Sequence, residues 1–139
     1  MKLALSEASK CEAEELGNRL STSNQQIVGP ENVEWVRLAL KDESGTLVGG
    51  AVGARSWRAL IIEVVWVDQS ARDRGYGSTL LKELERRGMA LGCHQAILDT
   101  FNFQAEPFYE RHGYKVISRV DGWPPLGFQS RMIKCLIVS

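Results

Sequence analysis

An excess of charge of either sign is missing from this sequence. Seventeen Lys and Arg face seventeen Asp and Glu, with no basic block and no interleaving of basic and aromatic residues, so the electrostatic footprint of a nucleic-acid binder is absent. Long apolar runs are missing too. None approaches the roughly 20 residues of a membrane span, and the start Met1-Lys2-Leu3-Ala4-Leu5-Ser6-Glu7 has no hydrophobic segment followed by a cleavage site, so a cytoplasmic protein without a membrane partner is expected. Cysteine is scarce and odd in number: Cys11, Cys93 and Cys135 lie far apart and read as buried free thiols rather than a disulfide framework. With His94 and His112 they form no metal-ligand spacing, and no metal is expected. No Gly-Lys-Ser/Thr closes a phosphate loop and no third glycine completes a dinucleotide fingerprint, which removes kinase-type and nicotinamide readings.

What is present fits a single domain over residues 1–139, with a hydrophobic fraction of 44% that suits a globular core. Ser9 followed by Glu12 suggests a capping box, and Ala13, Leu16 and Leu20 continue a helical stripe to about Leu20. The polar run Ser21 to Gln26, then Gly29-Pro30, reads as a connecting loop. Val33 to Lys41 and Thr46 to Ala54 read as antiparallel strands about the turn Glu43-Ser44-Gly45, with Gly49, Gly50 and Gly53 hinting at bulges or close packing. Leu60 to Val67 is a strand rich in β-branched residues that reads as buried on both faces, and Leu80, Leu81, Leu84 and Leu91 mark the apolar face of a helix. Gln95 to Thr100 is then a short strand, parallel to Leu60 to Val67 by the right-handed crossover rule. Pro107 opens a helix that Gly113 ends, and Lys115 to Val120 with Gln129 to Val138 close the sheet. The class is α/β, more strictly α+β: a mixed, mostly antiparallel twisted sheet flanked by helices.

Between the apolar strand and the amphipathic helix lies Ser70-Ala71-Arg72-Asp73-Arg74-Gly75-Tyr76-Gly77-Ser78-Thr79-Leu80. Two glycines let the backbone approach a ligand closely, the opening helix points N–H groups at an anion, and Arg72 and Arg74 add positive charge. Such a turn is a phosphate cradle; its plainer reading is an ordinary strand-to-helix connection. Arg72, Gly75 and Gly77 stand in the pattern of Arg or Gln, two residues, Gly, one residue, then Gly or Ala. A second stretch follows, Asn102-Phe103-Gln104-Ala105-Glu106-Pro107-Phe108-Tyr109-Glu110-Arg111-His112-Gly113-Tyr114. In order and separation the two resemble the paired signatures of the GNAT N-acetyltransferase superfamily, over roughly residues 33 to 139.

The resemblance implies an acyl-CoA N-acyltransferase-like fold and transfer of acetyl from acetyl-CoA to a primary amine, by direct attack in a ternary complex. It implies cofactor contacts from Trp66 and Val67 on the strand, from Arg72, Asp73, Arg74, Gly75, Tyr76, Gly77 and Ser78 in the cradle, and from Asn102. It makes Tyr109 the proton donor to the departing thiolate, a role a phenol of pKa about 10 can fill for a thiol of about 8.5. Glu63 is the candidate base, an isolated carboxylate in an apolar strand, where desolvation would raise its pKa. It stands two residues from the place the family pattern implies, and strand alternation keeps it on the same face. Its plainer reading is a glutamate on the solvated face or one paired with a structural arginine.

The acceptor, a small-molecule or peptide amine, is not specified by any linear pattern. The apolar run Asp121 to Phe128 reads equally as packing against the fold's own edge or as a functional surface, a wall of the acceptor site or a contact in a homodimer. A non-catalytic acyl-CoA-binding or regulatory module, monomeric or dimeric, is the alternative: it would need the cradle but not Glu63 or Tyr109. A third reading, assembly through the Trp123 to Phe128 loop and exposed sheet edges, gives a dimer with or without activity.

Overall fold

A computed structural model describes residues 1–137; Val138, the expected end of the last strand, lies outside the described residues. The chain forms two compact units, residues 1–31 and residues 32 onward.

The first unit is one helix, α1 (Lys10–Val28). Ser9 caps it as expected: its hydroxyl accepts from the Glu12 N–H at 3.1 Å and Glu12 accepts from the Ser9 N–H at 2.9 Å. The helix runs eight residues past Leu20, through the polar segment expected to be a loop. Side-chain bonds explain the extension, since Arg19 pairs with Glu15 and Gln25 donates to both the carbonyl and the hydroxyl of Ser21. Only at Gly29, with φ of +107°, does the chain leave helical geometry.

In the second unit, β-branched and alternating residues build a six-stranded sheet from β1 (Glu34–Lys41), β2 (Leu47–Ser56), β3 (Ala59–Val67), β4 (Gln95–Phe101), β5 (Lys115–Asp121) and β6 (Phe128–Cys135). Its order is β1-β2-β3-β4-β6-β5. Only β3 and β4 run parallel. Their crossover contains α2 (Tyr76–Ala90), and β4 leads through α3 (Glu106–Arg111) to the closing hairpin. The β1–β2 turn is held by the Asp42 carboxylate, which accepts from the N–H groups of Ser44 and Thr46.

The apolar stripe of α2, Leu80, Leu81 and Leu84, packs with Leu60, Ile62, Ala96, Leu98 and Met132. Each fully buried leucine contributes about 2 kcal/mol by area. The close fit depends on glycine. A Cβ at Gly88 would meet the Leu60 side chain, one at Gly50 would overlap the Leu38 carbonyl oxygen, and one at Gly49 the Trp66 carbonyl oxygen. The three glycines of β2 therefore serve close packing, with one register slip between Val52 and Gly53.

That slip lies opposite Glu63. Val52 pairs with Val64 and Gly53 with Ile62, leaving Glu63 as the extra residue of a β-bulge. The bulge reverses which residues face inward: Leu60 and Ile62 are buried before it, whereas Val65 and Val67 pack on the core after it. The period of two does not carry through Glu63, so alternation cannot place it on a common face with Val65. The same strand was expected to be buried on both faces, and the exposed Val64 and Trp66 show that past the bulge one face is open.

Candidate active site

The parallel ladder of β3 and β4 pairs Ala59 with Gln95 through Ile62 with Leu98 and then stops. Both strands run on, to Val67 and to Phe101. The edge of β3 that faces β4 therefore carries unladdered backbone over residues 63–67, polar groups that need a partner when covered. A cleft of about 700 Å³ opens along this wedge, lined by Val65, Trp66 and Val67 on one side and by Phe103, Gln104, Phe108 and Tyr109 on the other.

One end of the cleft is the turn into α2. Gly75, at φ +81°, caps the helix without a side-chain hydrogen bond, and a Cβ there would meet nothing within 4 Å. The first-turn N–H groups of a 15-residue helix thus have no side-chain cap at the point where its dipole is positive. Asp73 also has positive φ, +62°. Arg72 donates its Nε–H to the Val67 carbonyl at 2.8 Å, which ties the turn to the end of β3 and fixes where the rest of the guanidinium stands. These features fit the pyrophosphate of a CoA: open backbone donors, a cation beside them, and strand edge for the arm that follows.

Of the residues singled out from the sequence, Trp66, Val67, Arg72, Asp73, Gly75, Tyr76, Gly77, Ser78 and Tyr109 line this one cleft. Three do not. Arg74 is exposed in the turn but outside the lining. Asn102 uses its Oδ1 to accept the Phe128 N–H at 3.0 Å, and its amide lies against Gly127. Glu63 is exposed on its bulge, also outside the lining.

Tyr109 is 8% exposed, its ring wedged edge-on between Phe108 and Tyr114 at 5.1 and 5.7 Å. Burial raises its phenol above the ordinary value of 10.0, which keeps it protonated through neutral pH.

The fold converges on a known group. A family model described as the acetyltransferase (GNAT) family matches residues 4–114. The chain belongs to the GNAT acetyltransferase family. This GNAT chain is 38% identical over 92 residues to a blasticidin-S acetyltransferase of Streptomyces morookaense, covering 66% of this chain and 67% of that one. Its fold matches the crystal structure of an acetyltransferase from Bacillus cereus with a TM-score of 0.90 and 34% identity, over 96% of this chain and 97% of the other. It also matches, at a TM-score of 0.67 and 18% identity, an aminoglycoside 6'-N-acetyltransferase complexed with coenzyme A, over 91% of this chain and 85% of that chain.

Two cleft residues of this GNAT protein, Gln104 and Arg111, and His112 outside the lining escaped the sequence reading. Gln104 closes the β4–α3 turn by accepting from the Phe101 N–H at 2.8 Å and from the Thr100 hydroxyl at 3.2 Å. Arg111 lines the cleft on α3 and adds a second cation. His112 Nε2 lies 2.8 Å from Ser78 Oγ, tying the cradle helix to the helix that carries Tyr109. All three lie inside the second signature stretch, but only folding shows which of its side chains turn toward the first.

Proposed function

We propose that this protein moves an acetyl group from acetyl-CoA to the primary amine of a small-molecule or peptide acceptor by direct attack. The observation that carries the reading is the wedge between β3 and β4, with an uncapped helix N-terminus at one end and a buried phenol in its wall. The relatives' names, which include a blasticidin-S acetyltransferase and an aminoglycoside acetyltransferase, support a small amine over a protein surface.

Bound acetyl-CoA would supply the activated thioester. The chain's part is to hold and to move protons. The cradle from Arg72 to Ser78 binds the diphosphate, and the free edge of β3 pairs with the amide arm, with one N–H left to donate to the thioester oxygen. Such a preorganised donor is worth about 3 kcal/mol in a transition state. An amine of pKa about 10.4 arrives protonated, and its first proton leaves through Glu63 by way of solvent at the bulge. The C–N bond then forms as the C–S bond breaks, Tyr109 Oη yields its proton to the thiolate, and the phenol regains one from the second proton shed by the nitrogen. No cysteine sits in the cleft lining, in keeping with transfer without a covalent acyl-enzyme.

Calorimetric titration of acetyl-CoA into the wild type and an Arg72→Ala/Arg74→Ala variant, with thiol release read on an amine panel, tests this. Micromolar binding that the variant weakens, with thiol release, supports it; absence of binding overturns it. Binding without thiol release on any amine selects the non-catalytic module instead, a reading favoured by the placement of Glu63 outside the cleft lining.

A further inference from the structure

The face of the sheet turned away from α2 carries a run of aromatic rings at the mouth of the wedge. On β4 the residues Ala96, Leu98 and Thr100 are buried, so Phe101 projects to the opposite face. Phe103 stacks on Phe101 with centroids 5.6 Å apart and planes 13° from parallel, and Trp123 of the β5–β6 loop meets Phe101 edge-on at 5.7 Å. Past the Glu63 bulge, Val65 and Val67 pack inward, so Trp66 projects to that same open face from the other lip. Trp66 and Phe103 line one cleft.

These rings are far from sealed: Phe103 is 68% exposed, Trp123 55% and Trp66 48%. Other partly open rings are already covered by cations, Trp35 by Arg37 at 5.1 Å and Phe128 by Arg119 at 4.6 Å. Nor is the loop that carries Trp123 loosely placed. Asn102 grips it at Phe128, Gly122 and Gly127 bond across its neck, and Gly127 donates to the Pro124 carbonyl. The carboxylate on this face of β4, Asp99, is matched by a two-point pair with Arg131 at 2.9 and 3.1 Å. With Asp99 so occupied, the open surface that β4 and the β5–β6 loop offer at this lip is made of ring faces.

We infer that the acceptor carries its amine on or beside a flat conjugated ring, which seats between Trp66 and the Phe103–Trp123 wall with the amine directed into the wedge. This rests on the acetyl-transfer reading and adds the chemical class of the acceptor. A ring on an aromatic face, lost by alanine substitution, changes affinity by about ten- to a hundredfold. A puckered ring of equal size makes edge contacts only.

Benzylamine and cyclohexylmethylamine, compared at equal free-base concentration with acetyl-CoA as donor, differ chiefly in ring flatness. The expected result is a kcat/KM at least about tenfold higher for benzylamine, erased in Trp123→Ala and in the apolar but ringless Trp123→Leu, with calorimetric CoA affinity unchanged in both as the control for folding. Equal turnover of the two amines overturns the inference while leaving acetyl transfer standing. A parallel loss of CoA affinity in both variants also overturns it, because the rings then serve the cofactor. Saturation-transfer NMR of both amines with CoA present separates the two readings. Ring-selective binding that Trp123→Ala removes, without thiol release on any amine, upholds the ring site and fails the transfer reading.

Discussion

Tyr109 meets two demands that conflict on most side chains: it is buried enough to stay protonated, yet its ring forms part of the cleft wall. Tyr109→Phe keeps the ring packing and removes the proton. Thiol release is expected to fall by about a hundredfold or more with acetyl-CoA affinity unchanged, and an unaffected rate would exclude the phenol as donor. Glu63→Gln is expected to slow turnover at pH 7 and to recover as pH rises, because free base then arrives without help; a constant deficit across pH would assign Glu63 to structure instead. At His112, burial first and the charge of Lys82 next hold the imidazole below its ordinary value of 6.5. The unfolded chain therefore takes up the proton first, so the neutral ring's contribution is whole above about pH 6.5 and is lost as pH falls through the lower folded value. His112→Gln should flatten the fall of Tm between pH 7 and 5, and an unchanged slope would show that other groups set it.

At the scale of elements, α2 and the closing hairpin are joined by a buried charge. Glu85, 6% exposed, accepts from the Tyr114 hydroxyl at 2.7 Å and from Lys134 Nζ at 2.9 Å. Burial, and then the bond to Glu85, raise the Tyr114 phenol far above its usual range, so this donor keeps its proton at any working pH. Tyr114→Phe should cost about 2 kcal/mol in urea unfolding, the loss of one hydrogen bond to a buried carboxylate. A second carboxylate, Glu106 on α3, is pushed up by burial but pulled further down by Ser130 and Arg119, which bond it at 2.7 and 2.6 Å. From the sequence, Glu85 was one charge among several on an amphipathic helix, since helical period locates a face but not its distant neighbours, here Tyr114 just before β5 and Lys134 on β6. The length of α1 escaped for the opposite reason. Its C-terminal half has no apolar stripe, and the bonds that sustain it are local pairs such as Gln25 with Ser21.

Across the whole molecule the charges cancel, with a pI near 6.7. Solubility is accordingly expected to pass through a minimum near that pH, where self-repulsion vanishes; a minimum displaced by more than about a unit would mean that many ionisable groups are shifted together. The parallel pair, the crossover helix and the closing hairpin were legible in the sequence, because apolar period, turn residues and the handedness of the connection are properties of adjacent residues; the insertion of β6 between β4 and β5 was not. The family was legible too, through the spacing of Arg72, Gly75, Gly77 and Tyr109 in two short stretches. The bulge at Glu63 was hinted at only by Gly53 on the neighbouring strand: an apolar run broken by one glutamate looks the same whether its register slips or holds, and the slip is decided by the packing of β2 against β3. For the same reason Asn102 could not be read as the clamp on Phe128, nor His112 as the partner of Ser78, 34 residues away. The sequence by itself determined which local elements form and where the two signature stretches fall along the chain. Tertiary structure alone decided where β3 and β4 part, which side chains meet in the wedge and which rings stay open at its mouth, because those depend on contacts between segments that no local pattern records.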